Sequence, residues 1–163
     1  MTVTNVDKNT ETRTLTITSR LEAPIERVWK IWSDPRQLER WWGPPTYPAT
    51  FVDHELTVGA TTVYFMTGPE GDKHHDCWKI TAVDEPRSLE IEDAFVDEHG
   101  NPDPQIPGDG MTIRVTLSED AGATNMEIRT SFPTDEIMEK MIAMGMAEGM
   151  TEALGQVDAL LAG

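Results

Sequence analysis

Four consecutive residues, His74-His75-Asp76-Cys77, form the chain's densest group of potential metal ligands, and imidazole, carboxylate and thiolate are what zinc prefers. Their adjacency argues against a shared ion. On a strand His74 and Asp76 face one way and His75 and Cys77 the other, so one metal cannot take all four. The stretch reads instead as the surface start of a strand. His54 and Glu55 are also neighbours on opposite faces, and nothing fixes the base and nucleophile that acyl transfer needs. No GxSxG, HExxH, phosphate-loop or dinucleotide-binding signature occurs. With 29 Asp and Glu among 163 residues, carboxylates pair by chance at many spacings, so spacing alone identifies no glycosidase. No metal and no cofactor is expected, and catalytic residues are not assigned.

The stronger signal is apolar. Trp41-Trp42 stands close to Trp29 and Trp32, an aromatic density that packs short helices onto a sheet or forms a pocket mouth. Trp29 is assigned to packing, while for Trp42 both packing and the pocket mouth stay open, since it and the adjacent Trp41 cannot both face inward on one helix. Five of the nine methionines lie between Met138 and Met150, where flexible thioethers could line an adaptable cavity.

Composition removes several functions. A balance of 13 Lys and Arg against 29 Asp and Glu gives a formal charge of −16, which repels phosphate backbones and anionic lipids. Nucleic acid and membrane are therefore not expected partners. The lone Cys77 forms no intramolecular disulfide, the first dozen residues are polar, and no stretch approaches the ~18 apolar residues of a membrane span. A cytoplasmic protein is expected, as a monomer or homodimer. The length suits one domain, residues 12–163, after a flexible tail at 1–11.

The elements that must position these residues follow from periodicity. Thr14 to Leu21 alternates as a half-buried strand. Ile25, Val28, Trp29 and Trp32 then follow helical spacing, and Ser33-Asp34-Pro35 starts a second short helix ended by Gly43-Pro44-Pro45. Six strands are read over Phe51–Leu56, Thr61–Thr67, Trp78–Val83, Leu89–Val96, Met111–Leu117 and Met126–Phe132. Short turns between most of them imply antiparallel neighbours. The longest connection, Asp97 to Gly110, holds three prolines and three glycines and is read as a hairpin tip or lid. A helix of roughly 27 residues, capped by Thr134, runs from Asp135 to about Leu161. Ile137, Met138, Met141 and Ile142 share one face of it, while Met146, Met150, Leu154, Val157 and Leu161 lie round the cylinder. Gly145, Gly149 and Gly155 mark kinks or close approaches.

This order of elements resembles the START-like or SRPBCC superfamily, the helix-grip fold shared with the birch-pollen allergen. Ala23 to Pro44, APIERVWKIWSDPRQLERWWGP, resembles the opening of the family named after the activator of the heat-shock-protein-ninety ATPase, through Trp29, Asp34, Leu38, Trp41, Trp42 and Pro44. Val58-Gly59, Gly68-Pro69-Glu70-Gly71, Glu85 to Leu89 and Gly145 to Leu161 extend the likeness over nearly the whole chain. The chain departs from the family's pattern in Gly59-Ala60 for paired glycines, in Met150 for an aromatic, and in Cys77-Trp78 where relatives open a strand with glycine. An indole at that last position alters pocket size.

The resemblance implies an α+β fold in which a curved seven-stranded antiparallel sheet wraps a long C-terminal helix. It also implies a cavity between them for a hydrophobic small molecule. The expected lining is Trp42, Phe51, His54, Tyr64, Met66, Trp78, Phe95, Met111, Met138, Met141 and Ile142. The leading expectation is a non-catalytic carrier or sensor. The alternatives are a co-chaperone-like module with a chaperone partner and a polyketide cyclase- or aromatase-like enzyme. The enzyme would use His54, Tyr64 and Asp93, and would show titratable groups converging inside the cavity with perturbed pKa values.

Overall fold

The computed structural model describes residues 3–95 and 110–162, with side chains described up to residue 93 and again from 110. Eight strands form one antiparallel sheet: β1 (Val3–Asn9), β2 (Thr14–Leu21), β3 (Ala49–Asp53), β4 (Thr61–Thr67), β5 (Lys73–Asp84), β6 (Ser88–Phe95), β7 (Met111–Asp120) and β8 (Ala123–Ser131). Their spatial order is β1-β2-β8-β7-β6-β5-β4-β3, so the early strand β2 pairs with the last. The count is eight rather than seven because part of the expected tail forms β1. Its residues are largely exposed on both faces, so no apolar alternation marks it, and it is held by backbone pairing with β2.

β2 buries Leu15, Ile17, Ser19 and Leu21, as its alternation requires. Between β2 and β3 lie α1 (Ile25–Ser33) and α2 (Pro35–Leu38), and the Asp34 side chain accepts from the Arg36 N–H to start the second. α2 is only one turn long, and that overturns the expectation for the tryptophan pair. The regular helix ends at Leu38 and the chain continues in hydrogen-bonded turns through Trp42, along which Trp41 and Trp42 are both buried. The Trp41 Nε1 donates to the Ile31 carbonyl (3.0 Å) and the Trp42 Nε1 to the Tyr64 hydroxyl (2.9 Å).

The C-terminal helix is broken into α3 (Asp135–Ala143), α4 (Met146–Leu154) and α5 (Val157–Ala162). The first break has a clear cause. Gly145 sits at φ +88°, where an L side chain is strained, and it both closes α3 and accepts the first amide of α4, from Gly149 (2.8 Å). At the second break the Gln156 side chain donates to the Gly43 carbonyl (2.8 Å), tying this region to the segment after α2. Gly149 differs from its neighbours, for it is helical and a Cβ there would meet nothing within 4 Å. Gly145→Ala is therefore expected to lower stability by about 1 kcal/mol and Gly149→Ala to raise it by about 0.5–1 kcal/mol. Thermal denaturation of the two variants side by side checks the opposite signs.

The apolar core fills the space between the concave sheet and these helices and includes all five tryptophans. The Asp97–Gly110 connection, apart from Gly110, lies outside the described residues.

Candidate functional site

A cavity of about 240 Å³ opens between β4–β7 and the α3–α4 junction. Its walls are mostly apolar: Trp42, Met66 and Met111 from one side, Met141, Met144, Met146 and Met150 from the helices. The break at Gly145 explains why methionines from two different faces of a straight helix meet in one place. Gly145 and Gly149 also line it, while His74 and His75 stand among the lining residues on β5.

Besides the two histidines, three buried ionisable side chains line this apolar space from adjacent strands: Tyr64 on β4, Asp76 on β5 and Asp93 on β6. Tyr64 is directly cross-strand from Asp76, and Asp93 pairs with Trp78, one step along the same face, so the two carboxyls are diagonal neighbours. The Trp42 indole N–H donates to the Tyr64 oxygen, and the Tyr64 hydroxyl donates to Asp76 Oδ2 at 2.7 Å. The Cys77 amide donates to Asp76 Oδ1 at 2.8 Å. Asp76 and Asp93 are buried side by side, each 5% exposed. Asp93 Oδ1 is buried and has no partner among the described residues.

Burial, the largest cause, and then the negative charge of Asp93 hold the Asp76 carboxyl well above the usual carboxylate range. Burial lifts Asp93 to about 6, against the opposing effect of its bond to Asp76. Tyr64 is pushed well above 10.0, first by burial and then by the charges of Asp76 and Asp93, so its phenol stays protonated as a donor. Burial and Asp93 also raise the Cys77 thiol.

Of the residues expected to line a pocket, the cavity brings together Trp42, Tyr64, Met66, Met111 and Met141. Phe51 and Trp78 stand behind that surface. Phe51 stacks on Tyr64 at 4.6 Å, and Trp78 contacts Trp42, Phe51, His54 and Tyr64 edge-on. His54 is committed elsewhere: its Nδ1 meets the Thr62 hydroxyl (2.8 Å) and its Nε2 the Trp32 carbonyl (2.6 Å), and burial lowers its pKa. Met138 and Ile142 line a different depression, with Lys8 and Thr10, because that side of α3 faces the N-terminal strand region. The Phe95 side chain lies outside the described residues.

Asp76 is the residue that sequence reasoning missed. It was placed at a surface strand start, yet β5 begins at Lys73, and counting back by two from buried Ile80 and Trp78 reaches Asp76 on the inward face. No group of three or more metal-ligating side chains occurs among the described residues, and none of their helices is long and apolar enough to cross a membrane.

A curved antiparallel sheet closed over a cavity by C-terminal helices defines a helix-grip protein. Residues 22–162 match the model of the family described as activator of Hsp90 ATPase homolog 1-like protein, and the chain belongs to that family. It is similar to a solution structure from Arthrobacter aurescens at 47% identity, covering 99% of this chain and 92% of that one, with a TM-score of 0.94. A crystal structure from Mycobacterium smegmatis is 45% identical, with 98% and 96% covered and a TM-score of 0.89. CalU16 from Micromonospora echinospora, at 18% identity and a TM-score of 0.61 over 91% of this chain and 75% of that one, shares the fold. A comparison with the curated proteins found no match.

Proposed function

We propose that this protein binds a small, mainly apolar molecule in the methionine-lined cavity, and that Tyr64, Asp76 and Asp93 orient it. The carrying observation is an apolar space walled by methionines from two helix segments, with Tyr64, Asp76 and Asp93 among its lining residues. Burying about 200 Å² of apolar ligand surface is worth about 5 kcal/mol before the cost of association, enough for weak specific binding without covalent chemistry. Thioether walls adapt to shape, and the polar groups set direction. The single thiol fits a carrier or sensor working in a reducing cytoplasm.

Ethylbenzene is a suitable first probe. It is expected to raise the melting temperature and to shift NMR methyl signals of Met111, Met141 and Met150. Gly149→Leu, which grows into open space, is expected to abolish both effects while the protein stays folded. A titration that moves no lining methyl sinks the proposal.

A second reading, proton-transfer catalysis on the bound molecule, is favoured by one specific observation. Three titratable groups with raised pKa values, Tyr64, Asp76 and Asp93, converge at the cavity. Deuterium exchange at the α-carbon of a bound aryl ketone such as phenylacetone tests it. Exchange no faster than buffer in the presence of the protein excludes it for that substrate class.

A further inference from the structure

We infer that Met144, at the rim of the cavity, is a reversible oxidation site, and that its sulfoxide lowers the cavity's affinity for apolar molecules. The inference adds regulation to the cavity reading and rests on it.

The methionines around the cavity differ sharply in access. Met111 and Met141 are 4% and 3% exposed, Met66, Met146 and Met150 are half-buried, and Met144 is 67% exposed. Among the described methionines Met144 alone is exposed. The reason lies in the backbone. α3 ends at Ala143, and Met144 is its C-cap, in the turn just before Gly145 at φ +88°. Met144 is thus held off the packed face that buries Met138 and Met141, yet still lines the cavity.

A thioether is oxidised where an oxidant can reach a sulfur lone pair, so reactivity follows exposure. With hydrogen peroxide, the Met144 sulfur attacks one peroxide oxygen. An S–O bond forms, the O–O bond breaks, and the departing hydroxide takes up a proton and leaves as water. Sulfur loses two electrons and the peroxide gains them. Being neutral, the oxidant is not repelled by the net charge of −16. The product places a polar sulfoxide beside mostly apolar walls, and an apolar ligand must then strip water from it or lose contact with the rim. Cys77 is the competing oxidisable group. It does not line the cavity, and burial raises its thiol pKa, which holds it in the less reactive protonated form.

The experiment treats the full chain with hydrogen peroxide and then with dithiothreitol, which returns a cysteine sulfenic acid to the thiol and leaves methionine sulfoxide intact. Peptide mass spectrometry is expected to find Met144 oxidised at least about tenfold faster than Met111 and Met141. Once Met144 is oxidised, NMR titration is expected to show ethylbenzene bound about tenfold more weakly than by the untreated protein, and methionine sulfoxide reductases to restore the affinity. In Met144→Leu, whatever its starting affinity, the same treatment is expected to leave ethylbenzene binding where it was. Three results each overturn the inference and leave the cavity reading standing: oxidation of Met144 no faster than that of the buried methionines, undiminished binding after Met144 is oxidised, or a loss of affinity that persists in Met144→Leu. Absence of ethylbenzene binding by the untreated protein overturns the cavity reading and the inference with it.

Discussion

Asp93→Asn is expected to be more stable than the parent protein at pH 7.5, by about 3 kcal/mol, and no more stable at pH 4. The rise of the Asp93 pKa from its ordinary 3.8 to about 6 corresponds to that energy at about 1.36 kcal/mol per unit. The sign follows from proton counts. Between those two pH values the folded protein holds a proton that the unfolded chain has released, so stability falls as pH rises through the window and is level above it. Asp76, raised in the same direction, adds to the decline. An asparagine keeps the shape and can still hydrogen-bond to Asp76, but cannot ionise. Urea denaturation of both proteins at pH 4 and 7.5 reads the difference directly. A gap of equal size at both pH values would show that burial of a titrating carboxyl is not its cause. A site that makes the folded protein less stable at working pH is what preorganised function commonly requires.

Trp78→Ala is expected to cost about 3–5 kcal/mol, enough to leave the variant at the margin of folding. Trp78 is wholly buried at the centre of a ring of edge-on contacts with Trp42, Phe51, His54 and Tyr64. Removing it opens a void behind the cavity wall and frees Tyr64 and Trp42, the first two links in the hydrogen-bond chain to Asp76. Trp78→Phe should cost markedly less, since it keeps a ring in place and gives up an N–H that has no acceptor among the described residues. Chemical denaturation of the pair separates packing from hydrogen bonding. Similar losses for both variants would contradict the account.

Periodicity alone located most of the sheet. The alternation of Leu15, Ile17, Ser19 and Leu21 fixes the inward face of β2, and five of the six later strands begin within three residues of their expected starts. The misses have separate physical causes. β1 carries no apolar rhythm because an edge strand with two hydrated faces needs none. β5 starts five residues early because polar residues at 73–77 mask its period, and the same masking hid Asp76. Trp41 and Trp42 defeated the one-face rule because α2 ends before them. Gly145 was legible as an interruption, but the consequence, that Met141 and Met150 face one cavity, depends on how the two helix segments dock in space. His54 looked functional by residue type. Only the partners on both ring nitrogens show it to be a strut between Thr62 and Trp32.

The eighth strand bears on how the molecule behaves in a crowded solution. Without β1, the long and regularly patterned β2 would present its open backbone ladder to any neighbouring chain. β1 takes that position with Thr4, Asn5, Asp7 and Lys8, hydrated side chains that make a poor template for another strand. At the opposite margin β3 is only five residues long, and its register with β4 slips at Val52, bending the exposed ladder out of line. Both margins of the sheet are thus blunted by different means, and a variant lacking residues 1–10 is the one in which copies would be expected to add to one another strand by strand.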